Sequence, residues 1–166
     1  MDIITSNLGI NNFKQPKTVI NECYRILKSS GTLFLTSNLI GTFQEFYHEF
    51  EQTAVELNLN NVITALQAHI NSRVTNDNLN KLFISEGFSI INTERLTYSM
   101  KYSDGTAFLN DYFTIMSFLP SWKELIPNNQ LIEFFDILES KLNKISFENG
   151  ELNLSVPIVM KEIKRI

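Results

Sequence analysis

Asp2-Ile3-Ile4-Thr5-Ser6-Asn7-Leu8-Gly9 and Thr32-Leu33-Phe34-Leu35-Thr36 bracket a helical stretch, and the pattern of these residues decides the fold. The first run is apolar and ends in the polar, Gly-containing Ser6–Gly9, which reads as a strand buried on both faces, the habit of parallel sheets. Pro16 then opens a segment in which Val19, Ile20, Cys23, Tyr24, Ile26 and Leu27 recur at spacings of three and four, predicting a helix over about 16–28. Ser29-Ser30-Gly31 stops it, and Thr32–Thr36 follows as a second continuous apolar strand. Strand, helix and strand in this order make a βαβ unit with parallel strands and a right-handed crossover. A buried parallel strand is not expected at the end of a chain, yet only Met1 precedes this one.

Thr42-Phe43-Gln44-Glu45 reads as a capping box, in which hydroxyl and carboxylate each satisfy a free backbone amide. Phe43, Phe46, Tyr47, Phe50, Ala54 and Leu57 then share one helical face. A polar, Asn-rich stretch leads to a short helix burying Leu79, Leu82 and Phe83, with Gly87 as its stop. From Phe88 the period changes to two, with Leu96, Tyr98, Met100 and Tyr102 alternating with polar residues. Asp104 is placed to cap a helix carrying Phe108, Tyr112, Ile115 and Leu119 on one side, ended by Pro120. A further helix after Asn129 is expected to bury Leu131, Phe135, Leu138, Leu142 and Ile145. Asn149-Gly150 is a turn signal. Leu152, Leu154, Val156, Ile158 and Met160 alternate strictly in a closing strand, where Pro157 removes a ladder donor and predicts a bulge or irregular pairing. No repeat, low-complexity tract or flexible linker interrupts the chain. One domain over 1–166 is expected, with a helical insertion over about 104–149.

The 166 residues include 43% hydrophobic and 19% charged side chains, enough apolar content for a sizeable core and too little charge for disorder. A net charge of −4 supplies no concentrated positive field and argues against a nucleic-acid partner. The single cysteine excludes an intramolecular disulfide and fits a reducing compartment. No apolar run approaches the roughly 18–20 residues of a membrane helix, and the N-terminus lacks the charged start and apolar stretch of a signal peptide, so none is expected. A cytoplasmic protein is expected, with no membrane and no nucleic acid among its partners.

Particular residues converge with this order of elements. Asp2-Ile3-Ile4-Thr5-Ser6-Asn7-Leu8-Gly9, then Glu22, Arg25, Leu27, Lys28 and Gly31 in the pattern Glu-x-x-Arg-x-Leu-Lys-x-x-Gly, and the strand Thr32–Thr36, resemble class I S-adenosylmethionine-dependent methyltransferases. Glu86-Gly87-Phe88 before a strand and Tyr102-Ser103-Asp104-Gly105 before a helix extend the resemblance over nearly the whole chain. It implies an α/β fold: a partial Rossmann-like sheet, its parallel strands followed by a carboxy-terminal antiparallel pair, with helices packed on it. Of the family's seven strands the chain would supply the fourth to the seventh. The cofactor implied is S-adenosylmethionine, which the family holds mainly through a Gly-rich loop after its first strand. The six glycines here stand at 9, 31, 41, 87, 105 and 150, so no Gly-x-Gly loop is present.

By the resemblance, Ser6, Asn7 and Leu8 would border the cofactor, since open α/β sheets place ligands at the carboxyl ends of their strands. The competing reading is a polar exit from strand to loop. Asn12 and Asn38 are candidate substrate-binding residues on the same crevice; an Asn at such a place also serves simply to cap a turn. Tyr47, Tyr98, Tyr112 and Trp122 fit either an acceptor pocket or the core, and their spacing favours the core. His48, His69 and Cys23 show no metal-ligand or nucleophile–base spacing, so no metal is expected and no catalytic residue is assigned. Asp104 is read as a cap before a base.

Three functions follow from these readings. The chain is the carboxy-terminal portion of a methyltransferase acting on a small-molecule acceptor and inactive alone, or one chain of a split methyltransferase, or a non-catalytic binding or dimerisation module. The first strand, lacking its family neighbour, presents an apolar open edge, and a homodimer through residues 2–5 is one way to cover it.

Overall fold

The computed structural model describes residues 1–166, and its strands stand in the order β1-β2-β4-β3. Strand β1 (Ile3–Asn7) runs parallel to β2 (Thr32–Asn38), with Ile3 opposite Thr32 and Asn7 opposite Thr36. Between them lie a short 3-10 turn (Gly9–Asn12) and helix α1 (Pro16–Ile26), with proline in its first turn. The βαβ unit read from the sequence is therefore present. Strand β4 (Leu152–Arg165) pairs antiparallel with β2, placing Glu162 opposite Phe34 and Met160 opposite Thr36. Strand β3 (Phe88–Tyr102) lies on its far side.

The chain divides into two compact units. The first comprises Met1–Thr42, Arg73–Tyr98 and Val156–Ile166. Its core joins Ile20 and Leu27 of α1 to Leu33 and Leu35 of β2, Val159 and Ile163 of β4, and Leu79 and Phe83 of α4 (Asn76–Ser85). Each fully buried side chain of this kind contributes about 1.5–3 kcal/mol. Thr75 caps α4, its side chain accepting from the Asn78 amide at 3.1 Å.

The second unit comprises Phe43–Ser72 and Ser99–Ser155. It holds α2 (Gln44–Glu56), α3 (Asn60–Asn71), three short helices α5 (Gly105–Leu109), α6 (Tyr112–Ser117) and α7 (Leu119–Lys123), and the long α8 (Leu131–Asn149). Its core is aromatic: Phe46, Phe108 and Trp122 are fully buried, with the Phe46 and Trp122 rings 4.2 Å apart. The buried Trp122 indole donates to the Tyr47 hydroxyl at 3.0 Å. Gly105 lets α5 pack against α8, since a Cβ there would lie 2.4 Å from that of Leu142.

Several local readings need correction. The capping box does not form: Thr42 bonds the Leu39 carbonyl, Phe43 takes the left-handed N-cap position, and Glu45 reaches instead to Ser155, accepting from its amide at 2.8 Å and from its hydroxyl. The Asn-rich stretch contains α3, whose Val62 and Leu66 are buried; packing overrides the poor helix propensity of asparagine. The single helix expected from Asp104 is three, because Asp111 starts a new one by accepting from the Phe113 and Thr114 amides. Pro120 consequently sits in the first turn of α7 and ends nothing. Helix α8 buries Phe134, Leu138, Leu142 and Ser146, a face turned slightly from the one expected. In β4 the buried residues run Leu152, Leu154, Val156 and then Val159, Lys161, Ile163. The alternation skips a residue beside Pro157, as the missing ladder donor predicts. No helix is long and apolar enough to cross a membrane.

Candidate functional site

The carboxyl ends of β1 and β2 meet at the loop Ser6–Asn12, and this loop is built from its own polar groups. The Leu8 amide donates to the Thr36 carbonyl at 3.1 Å and to its hydroxyl at 3.0 Å. That hydroxyl in turn donates to Asn7 Oδ1. Leu8 adopts a left-handed conformation, φ 55°, so the chain turns sharply out of the strand, an uncommon state for a branched residue. A Cβ at Gly9 would lie 2.8 Å from Ser6 Oγ, so a larger residue there would make the Ser6 hydroxyl turn away. Asn11 ties the loop to β2, donating to the Asn38 carbonyl at 3.1 Å and accepting from the Ser37 hydroxyl at 2.7 Å. Asn12 donates to the Leu8 carbonyl at 3.4 Å.

The structure thus brings Ser6, Asn7, Leu8, Asn12 and Asn38 to one end of the parallel pair. Their polar atoms are not all free there. The Leu8 amide is engaged twice, and Asn38 Oδ1 is buried without a hydrogen bond. The Asn7 amide nitrogen keeps its donors, and Asn7 is exposed. A trough of about 300 Å³ adjoins it, lined by Thr5, Asn7, Phe34, Thr36 and Met160, with Glu94 and Glu162 at its sides. Thr36, Phe34 and Met160 were not singled out in the sequence. A continuous apolar run such as Thr32–Thr36 gives no sign that Phe34 lies on a face left 43% exposed while Leu33 and Leu35 are covered.

These residues alone do not fit S-adenosylmethionine. The amide best placed at the strand end is committed to Thr36, and Gly9 is the only glycine of the loop, so no glycine-lined run of amides faces the crevice.

The other singled-out side chains separate clearly. Tyr47 and Trp122 are buried in the second unit, whereas Tyr98 and Tyr112 are 58% and 76% exposed, outside any core. His69 lies 3.2 Å from the Tyr47 hydroxyl. His48 Nε2 stands 3.9 Å from Glu49. Burial pushes the Cys23 thiol up, away from the thiolate form a nucleophile needs. Asp104 is a cap, accepting from the Ala107 amide at 2.7 Å. No three His, Cys, Asp or Glu residues gather to hold a metal.

The strand order and the strand-end loop define a class of fold, and comparison with known proteins agrees. Residues 1–35 match the family model described as a methyltransferase domain. The chain is similar in structure to a Bacillus halodurans C-125 protein provisionally described as a methyltransferase, at 14% identity and a TM-score of 0.52, over 99% of this chain and 64% of that one. A second solved structure, the YcgJ protein of Bacillus subtilis, aligns at 13% identity over the same shares with a TM-score of 0.49. Curated protein sequences give no match. Residues 1–35 therefore carry a sequence match to a methyltransferase domain model, and nearly all of the chain shares the fold of the Bacillus halodurans structure. The chain spans 64% of the length of the Bacillus halodurans protein.

Proposed function

We propose that this chain is the carboxy-terminal portion of an S-adenosylmethionine-dependent methyltransferase, inactive alone, acting on a small-molecule acceptor. The observation that carries the reading is the open outer edge of β1, an uncharged strand with Ile3 60% exposed, beside a strand-end loop whose residues match the methyltransferase domain model. A segment bearing the Gly-rich loop completes the sheet along that edge, from the same polypeptide or a second one. Ser6, Asn7 and Leu8 then border the cofactor, and Asn12 and Asn38 the acceptor. The acidic balance of the chain supports a small molecule over a nucleic acid.

The test is to read the coding sequence ahead of residue 1 and in the neighbouring frames, and to co-express any Gly-rich segment found with this chain. Calorimetry with S-adenosylhomocysteine is expected to show saturable binding by the combined protein. A locus encoding no such segment, or a combined protein that does not bind, overturns the proposal.

A second reading, a non-catalytic module, is favoured by the same edge. Ile3–Asn7 carries no lysine, proline or bulge of the kind that blocks edge pairing, so a second copy can add antiparallel to it. Light scattering that shows a stable dimer, lost on Thr5→Pro, supports this reading, and a monomer at high concentration removes it.

A further inference from the structure

Asn149-Gly150 is the only Asn-Gly pair in the chain. At such a pair the asparagine side chain is open to attack by the next backbone nitrogen, because glycine sets no side chain in the way and leaves the backbone free to rotate. A folded chain permits the attack where the side chain stands in solvent, the following nitrogen is unbonded, and nothing packs on the turn between them.

The end of α8 meets all three conditions. Asn149 is the last residue of the helix and is exposed. Helices α1 to α7 each end on a residue whose amide donates to a carbonyl of the helix. At α8 that residue is Gly150, and its amide has no such acceptor. Gly150 lies at φ 83°, and a Cβ there would find nothing within 4 Å.

Two related pairs in the same unit are closed. Asn71-Ser72 is also exposed at a helix end, but the Ser72 amide donates to the Ala68 carbonyl at 3.0 Å. Asp104-Gly105 is the carboxyl counterpart. There Asp104 is held by the Ala107 amide at 2.7 Å, and Gly105 is buried against Leu142.

We infer that Asn149 is a self-modifying site in the folded chain. The Gly150 nitrogen bonds to Asn149 Cγ and gives up its proton to solvent, and ammonia leaves as the succinimide ring closes. One water then opens either ring carbonyl, giving aspartate or isoaspartate. Nothing is oxidised or reduced, and water is the only co-reactant. The product sets a carboxylate where the dipole of α8 is negative, in the hollow that Asn149 shares with Glu45, Glu49 and Glu151. The isoaspartyl form also lengthens the backbone by one carbon beside Glu151, whose carboxylate pairs with Lys101 at 2.6 Å.

The experiment incubates the whole chain, folded and in urea, in mildly alkaline buffer and maps it by proteolysis and mass spectrometry. Conversion replaces ammonia by water in the mass of one peptide, and chromatography separates isoaspartate from aspartate. In the folded chain Asn149 is expected to convert at least about tenfold faster than Asn71 or any other asparagine, while Asp104 isomerises in urea only. Asn149→Gln is expected to suppress the conversion and keep the fold. An Asn149 that converts in urea but stays intact in the folded chain overturns the inference. So does a Gly150 amide that exchanges its hydrogen more slowly than the bonded Ser72 amide. Asn149→Asp, which has one product's charge, is expected to melt about 1–3 °C below Asn149→Gln. Equal melting overturns the effect assigned to the new carboxylate.

Discussion

The Leu8 amide donates to the Thr36 hydroxyl at 3.0 Å where the two parallel strands end, and that hydroxyl donates in turn to Asn7 Oδ1. One hydroxyl thereby helps to hold the turn that carries Asn7, Leu8 and Asn12, beside the bond from the same amide to the Thr36 carbonyl. Thr36→Val keeps the shape and removes both bonds. Urea unfolding is expected to show a loss of about 1–2 kcal/mol, with the amide signals of Leu8 and Gly9 displaced in NMR spectra. Unchanged stability and unchanged signals would show that the hydroxyl does not hold the loop.

Lys161 is 2% exposed and has neutral partners only, donating to Asn76 Oδ1 at 2.7 Å, Asn80 Oδ1 at 2.6 Å and Thr93 Oγ1 at 3.2 Å. Burial lowers its pKa, helped by Arg95 and opposed by Asp77. The unfolded chain binds the proton more tightly, so stability rises with pH from the lowered folded value towards the ordinary lysine range. Lys161→Met is expected to flatten that rise and to leave neutral-pH stability unchanged or higher. Asn80→Ala, which strands part of the ammonium, is expected to cost about 1–3 kcal/mol. Thermal melts from neutral to alkaline pH check both.

Glu45 gives a slope of the same sign in the acid range, since here too the unfolded chain binds the proton more tightly. Burial raises its carboxyl pKa, but the Ser155 hydroxyl and amide outweigh burial and hold it below the ordinary range. Its contribution is present above the unfolded value and is lost as pH falls through the folded one. Ser155→Ala leaves the amide bond and is expected to cost about 1 kcal/mol at neutral pH, reduced by the partial exposure of the group. The cost should shrink in acid, as denaturation midpoints across that range would show.

Gly105→Ala forces a Cβ to within 2.4 Å of the Leu142 Cβ, backbone-anchored on both sides. A loss of about 1–3 kcal/mol in thermal or chemical unfolding is expected. Gly150→Ala, with nothing within 4 Å but a φ of +83°, should cost only the roughly 1–2 kcal/mol of the left-handed backbone.

The order of elements over the first 38 residues was legible because each signal there is local: Pro16 at the helix start, the three-and-four spacing from Val19 to Leu27, and Gly31 after it; burial of β1 on both faces was not, since Ile3, Thr5 and Asn7 are exposed. The same locality made the Asp104 cap readable. What could not be read depended on contacts distant in sequence. Glu45 pairs with Ser155, 110 residues away, so the apparent capping box misled. Asp111 divides one expected helix by capping the next. Val62 and Leu66 make a helix of an Asn-rich tract by packing. At the candidate site, the loop Ser6–Asn12 was visible as a strand exit. The role of Thr36 and the exposure of Phe34 follow from strand order, which a run of apolar residues does not encode.

The most direct measurement is calorimetric titration of S-adenosylhomocysteine into the purified 166-residue chain alone. A strand-end loop closed on its own polar groups and lacking glycine-lined amides predicts no saturable heat at millimolar ligand. Tight, saturable binding by this chain alone would contradict the reading of these residues as one portion of a methyltransferase that needs another segment to hold its cofactor.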